Sequence, residues 1–151
     1  MKPTASEQQL PNWDRDTNLE LPPAGETAAL NRWSNFQSDA LNNYDQARNY
    51  PGIEGTSRMS PHLRWGEIHP RTILSSLGAS PAHEVFRKEI AWREFYADVL
   101  HHNLDTSRDY YSKRFASMRY NPPGEAFQAW CEGRTGFPFV DAAMRQLVQT
   151  G

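Results

Sequence analysis

Ser80-Pro81 opens the longest periodic stretch of the chain, SPAHEVFRKEIAWREFYADVLH (80–101). Serine followed by proline suits a helix start: the hydroxyl accepts from an orphan backbone N–H, and the fixed φ of proline fits the first turn. Val85, Phe86, Ile90, Phe95, Val99 and Leu100 then give an apolar side at helical spacing. The pattern predicts a helix from Pro81 to about His101. Glu89, Trp92 or Arg93, and Tyr96 stand at i, i+3/i+4 and i+7, so they share a face. A carboxylate, an indole, a guanidinium and a phenol on one face suit a polar aromatic ligand. The plainer alternative is a Glu89–Arg93 i,i+4 pair worth roughly 0.2–0.5 kcal/mol, with Trp92 in the core.

The same logic extends outward. Leu30, Trp33, Phe36 or Gln37, Ala40 or Leu41, Tyr44 and Ala47 predict a helix from about Thr27 to about Asn49, stopped by Pro51 and Gly52. Ser60-Pro61 opens a short helix that ends near Gly66, with Ser60 as its cap, and His69-Pro70 opens another that Gly78 stops. Residues 103–123 read as irregular, closed by the turn Asn121-Pro122-Pro123-Gly124. A short helix carrying Phe127 and Trp130 ends at Gly133, and a last one after Pro138 carries Val140, Ala143, Met144, Leu147 and Val148. Residues 1–25 are polar and proline-rich and read as a linker or tail. No stretch alternates like a strand. The expected fold class is all-α, an irregular multi-helix domain over 26–151.

Between the first two helices, Gly55-Thr56-Ser57-Arg58-Met59-Ser60-Pro61 sets three hydroxyls and a guanidinium ahead of a helix start. Unpaired N–H groups and the positive end of the helix dipole suit an anion there. The competing reading is structural: Ser60 caps, and Thr56 and Ser57 make a turn.

Composition narrows the classes. Of the 151 residues, 38% are hydrophobic, and mean hydropathy is −0.79; that is polar for a self-contained globule and points to missing partner surface. A net charge of −2 argues against a general nucleic-acid coat. Residues 1–46 hold three Lys+Arg against seven Asp+Glu, and residues 47–151 hold thirteen against eleven, so a DNA contact would be a local basic patch in the later part. The single cysteine, Cys131, permits no intramolecular disulfide and has no nucleophile-type partner spacing. The histidines lack metal-ligand spacing and read as solvated or capping, so no metal is expected. With no apolar leader in MKPTASEQQL and no apolar run of membrane length, a cytoplasmic monomer is expected.

Three stretches together carry a resemblance: NNYDQARNYPGIEGTSRMSPHLRWGEIHPR (42–71), FRKEIAWREFYADVL (86–100) and AFQAWCEGRTGFPFVDAAMRQL (126–147). In this order they closely resemble the DNA photolyase and cryptochrome family, and bacterial cyclobutane-dimer photolyases more than animal cryptochromes. The resemblance covers roughly residues 26–151 and implies the N-terminal part of that family's all-α FAD-binding domain.

By the same resemblance, the implied cofactor is FAD. Tyr44, Thr56, Ser57, Arg58, Met59, Ser60 and Arg93 match cofactor-binding positions, with 56–60 on the phosphates. Arg48 matches a DNA-backbone contact, and Glu89, Trp92, Arg93 and Tyr96 match DNA-contacting positions. Glu89 and Trp92 match the catalytic pair, the carboxylate hydrogen-bonding the damaged pyrimidines and the indole packing on the flipped-out dimer. Tyr120 stands where many members place the outermost tryptophan of an electron-transfer chain. The implied activity is light-driven repair of cyclobutane pyrimidine dimers in damaged DNA. A flavin photoreceptor without repair, or an inert helical fragment, are the alternatives. The family's antenna domain with its pigment and the second half of the flavin domain match nothing here, so the chain is expected to be a fragment with little repair activity alone.

Overall fold

The structure, a computed structural model, describes residues 20–150. Most of the expected N-terminal linker lies outside the described residues; of its remainder, residues 20–25 form neither helix nor strand. Seven α-helices follow, and no strand occurs among the described residues. They are α1 (Glu26–Asp39), α2 (Tyr44–Ala47), α3 (Ser60–Trp65), α4 (Pro70–Ser75), α5 (Pro81–His102), α6 (Glu125–Cys131) and α7 (Pro138–Thr150). Single 3₁₀ turns at Leu41–Asn43, Leu104–Ser107 and Lys113–Phe115 complete the helical content. The fold class is all-α, as expected.

Two compact units are present, one of residues 23–120 and one combining 20–22 with 121–150. In the first, α1, α2, α4 and the first half of α5 enclose an aromatic core. Trp33 and Phe86 stack with ring centroids 5.4 Å apart, Phe36 lies 5.4 Å from Phe86, and Tyr44 meets Phe86 edge-on at 5.0 Å. Such contacts add to the burial of large rings and fix their orientation. Ala29, Leu41, Met59 and Ile73 close the spaces between them. The indole N–H of Trp33 donates to Ser76 Oγ at 3.0 Å, so the one polar atom of that ring is satisfied.

The helix boundaries depart from the sequence pattern in three places. The helix expected over 27–49 is broken: α1 stops at Asp39, and Ala40, at φ −126°, leads into the 3₁₀ turn and α2. Asn42 and Asn43 are poor helix formers, and the break places Leu41 in the core while Asn42 Oδ1 meets His83 Nε2 at 3.3 Å. At α3, Met59 is the cap residue, with no side-chain bond; Ser60 is already helical and does not cap. On α5, only Ala82, Phe86 and Ile90 are buried, and the apolar side continues into exposed Phe95 and Leu100.

The caps elsewhere follow their residue types. Ser80 Oγ accepts from His83 N at 3.3 Å, and His69 Nδ1 accepts from Arg71 N at 3.1 Å. Gly66, at φ 71°, ends α3 in the left-handed conformation that favours glycine. His62 is neither solvated nor capping as expected. It is buried, with Nδ1 2.5 Å from Glu67 Oε2, while Glu67 Oε1 accepts from Gly25 N at 2.8 Å. These two bonds, the histidine's first, hold the Glu67 carboxyl below the ordinary range. The pair staples the entry of α1 to the exit of α3.

In the second unit, Asp141 is the buried polar residue. Its Oδ1 accepts from Thr135 N at 2.7 Å and Thr135 Oγ1 at 2.6 Å, and its Oδ2 accepts from Gly136 N at 3.0 Å. The loop into α7 is thus wrapped around one carboxylate. Glu20 N donates to Gln149 O at 2.9 Å, tying the start of the described chain to the end of α7.

Candidate functional site

In the first unit, α2 brings Tyr44 and Arg48 against Glu89 of α5. This four-residue helix lies against α5 and ends at Arg48, whose Nη1 lies 2.6 Å from Glu89 Oε1. The guanidinium also sits 5.2 Å from the centre of the Tyr44 ring. Hydrogen bonding to Glu89 holds Arg48 above its already high ordinary pKa. Burial pushes the Tyr44 phenol up, with Arg48 opposing and Glu89 reinforcing the shift. Tyr44 is therefore a neutral wall of the aromatic core beneath a salt bridge.

The Glu89–Arg93 pair considered from spacing does not form. Glu89 reaches across to α2, while Arg93 Nη2 donates to Leu63 O at 3.1 Å, joining α5 to α3. Trp92 is not core either. It is 50% exposed and Tyr96 64% exposed. Trp92 and Tyr96 stack at 5.9 Å between centroids, with Phe95 edge-on to Trp92 at 5.3 Å. Three rings of α5 thus make a solvent-facing aromatic platform beside the Arg48–Glu89 pair.

The 55–60 loop reaches this region by backbone contact with α2. Gly55 is buried, and a Cβ added there would lie 2.6 Å from Ala47 Cβ and 2.8 Å from the Ala47 carbonyl oxygen. Arg32 of α1 pins the loop from the other side, Nε donating to Ser57 O at 2.7 Å and Nη2 to Thr56 O at 3.3 Å. Arg58 adopts φ 54° and pairs with Glu54 at 2.5 Å, an exposed bridge of little stabilising weight. Met59 is buried in the core, so the loop offers the exposed Thr56, Arg58 and Ser60 side chains and the half-buried Ser57. Because Ser60 does not cap, its hydroxyl is not committed to the start of α3.

A cleft of about 720 Å³ lies between α4 and α5, with Arg71, Leu74, Arg87, Ile90 and Arg93 in its wall. Arg93 is the only expected site residue there; the loop 56–60, Glu89 and Trp92 lie outside it. Tyr120 is exposed, and its hydroxyl is hydrogen-bonded to that of Tyr110, which raises the Tyr110 pKa. Among the described residues, no group of three His, Cys, Asp or Glu side chains could hold a metal ion, and no helix is long and apolar enough to cross a membrane.

Four structural residues were missed in the sequence. Arg32 carries no local signal, because its partners Thr56 and Ser57 lie 24 and 25 residues on, and the His62–Glu67 pair, five residues apart, acts as a staple only through Gly25 N, 42 residues before Glu67. Asp141 carried a partial one, an acid in the first turn of a helix.

Residues 86–151 match the family model described as the FAD binding domain of DNA photolyase. The chain is 39% identical over 147 residues to the deoxyribodipyrimidine photo-lyase of Agrobacterium fabrum, covering 93% of this chain and 30% of that protein. It is 38% identical over 138 residues to the enzyme of that name from Escherichia coli, covering 85% of this chain and 29% of the relative. It is also similar to the crystal structure of a bacterial class III photolyase from Agrobacterium tumefaciens, with a TM-score of 0.79 and 39% identity over 84% of this chain and 28% of that one. The chain thus spans less than a third of the length of these relatives. Agreement of this degree in both sequence and helical course reflects common descent, and the chain belongs to the DNA photolyase family.

Proposed function

We propose that the chain serves light-driven repair of cyclobutane pyrimidine dimers in DNA, using FAD, as part of a deoxyribodipyrimidine photolyase. The observation that carries this reading is the Glu89 carboxylate standing beside the exposed Trp92–Tyr96 platform on one helix face. A dimer inside a duplex is out of reach, so it must be flipped out at a cost of a few kcal/mol. Trp92 offers a ring face to the extruded pyrimidines, and Glu89 an acceptor for their N–H groups.

The 56–60 loop fits a dinucleotide's phosphates in chemistry: hydroxyls and a guanidinium, pinned by Arg32 and backed by an uncapped helix start. Thr56, Ser57, Arg58 and Ser60 would hold those phosphates, and Tyr44 and Arg93 would lie nearer the ring system. Reduced flavin, when bound, supplies on excitation the electron that splits the dimer. The protein's part is to orient the lesion and place donors where negative charge develops. Arg48 would grip the DNA backbone, Tyr120 would lie on the route by which electrons reach the flavin, and the protein would work as a cytoplasmic monomer.

Blue light on the native protein, reduced and loaded with FAD, should remove dimers from an oligonucleotide carrying them. Dimers that persist while flavin is bound would turn the reading to a photoreceptor; a protein that takes up no flavin would end both.

A further inference from the structure

Arg48 and Glu89 each have a task on DNA in the reading above, yet here they are engaged with each other. Nη1 and Oε1 are 2.6 Å apart, and the side chains are 31% and 37% exposed, within reach of a ligand approaching α5. We propose that this pair is an exchangeable latch which masks Arg48 from undamaged DNA and releases it to a backbone phosphate only when a flipped-out pyrimidine dimer takes over Glu89. The inference rests on the repair reading and adds to it how the same site discriminates damage.

The physical argument concerns what each partner has left after exchange. Carboxylate and phosphate both accept well from a guanidinium. Undamaged duplex offers Arg48 a phosphate but offers Glu89 nothing. The exchange would leave a bare carboxylate beside the polyanion, and the repulsion offsets the gain. An extruded dimer presents pyrimidine N–H donors next to Trp92, so Glu89 keeps a partner and Arg48 is free. The Tyr44 ring, 5.2 Å below the guanidinium, supports the cation in either state. Lesion recognition and backbone grip become one event, and part of the selectivity comes from a phosphate contact withheld from intact DNA.

The test compares the wild-type chain, Glu89→Gln, Arg48→Gln and the double variant. Each binds a fluorescein-labelled duplex with one thymine cyclobutane dimer and the same duplex undamaged, by anisotropy across a salt series. Far-UV circular dichroism checks the shared fold, and Glu89→Ala serves as a second release variant. On undamaged duplex, Glu89→Gln should tighten binding several-fold and steepen the slope of log affinity against log salt by about 0.9, one phosphate contact. Arg48→Gln should leave that slope unchanged, and the double variant should lose the gain. On damaged duplex, Glu89→Gln should not steepen the slope. An undamaged-duplex slope equal to wild type, or a gain that survives in the double variant as a simple charge effect, overturns the latch. Equal wild-type affinity for the two duplexes overturns the repair reading and the latch with it. A preference for damage with an unchanged slope overturns the latch alone.

Discussion

Gly55 and Ala47 are in backbone contact: a Cβ on Gly55 would stand 2.6 Å from Ala47 Cβ and 2.8 Å from the Ala47 carbonyl carbon and oxygen. Two of the three obstructing atoms are main chain, so the loop and not a rotamer would have to move. Gly55→Ala should therefore destabilise the fold by about 1–3 kcal/mol. Urea unfolding followed by circular dichroism measures this directly. A midpoint unchanged from wild type would show that the loop is not pressed against α2.

The two halves of α5 should respond oppositely to truncation. Phe86 is buried among Trp33, Phe36 and Tyr44, so Phe86→Ala should cost about 3–5 kcal/mol of stability. Trp92 is half-exposed, and Trp92→Ala should change stability by less than about 0.5 kcal/mol. The same change should weaken binding of a dimer-containing oligonucleotide by about 1–3 kcal/mol, the worth of one stacking platform. Paired unfolding and anisotropy curves separate the two effects.

Arg32 is itself assigned to neither flavin nor DNA, yet it holds two carbonyls of the loop assigned to the FAD phosphates, Ser57 O and Thr56 O. Losing charge-assisted hydrogen bonds worth about 1.5 kcal/mol or more should loosen the loop. Arg32→Ala is expected to weaken FAD binding roughly tenfold, read by quenching of flavin fluorescence. Unchanged affinity would separate the loop's order from cofactor binding.

Asp141 supplies a pH dependence of known sign. The side-chain bond from Thr135, then the backbone N–H groups of Thr135 and Gly136, hold its pKa below the ordinary 3.8 against the opposing effect of burial. A folded-state pKa below the unfolded one means the carboxylate stabilises the fold above the ordinary value, and that this is lost as the pH falls through the depressed one. Asp141→Asn should lower stability at pH 7 and shrink the difference from wild type as acid is added. Melting temperatures between about pH 7 and pH 2 would check this. A difference constant across that range would exclude the carboxylate as the anchor of the loop.

By itself the sequence determined the helical class and most helix starts. Ser80-Pro81, His69-Pro70 and Gly66 are local signals whose physics lies within a few residues, and the structure agrees with each. It also placed Glu89, Trp92 and Tyr96 on one face, because helical periodicity does so wherever the helix sits. Tertiary structure decided who partners whom. Glu89 finds Arg48, 41 residues away, and leaves Arg93, four residues on, to bond Leu63 O on α3. The break at Ala40 brings Leu41 into the core, although the apolar period runs through it unbroken. The physical reason is common to both: a side chain's spacing along its own helix limits its neighbours there, while the packing of other helices decides which of several nearly equal partners it takes.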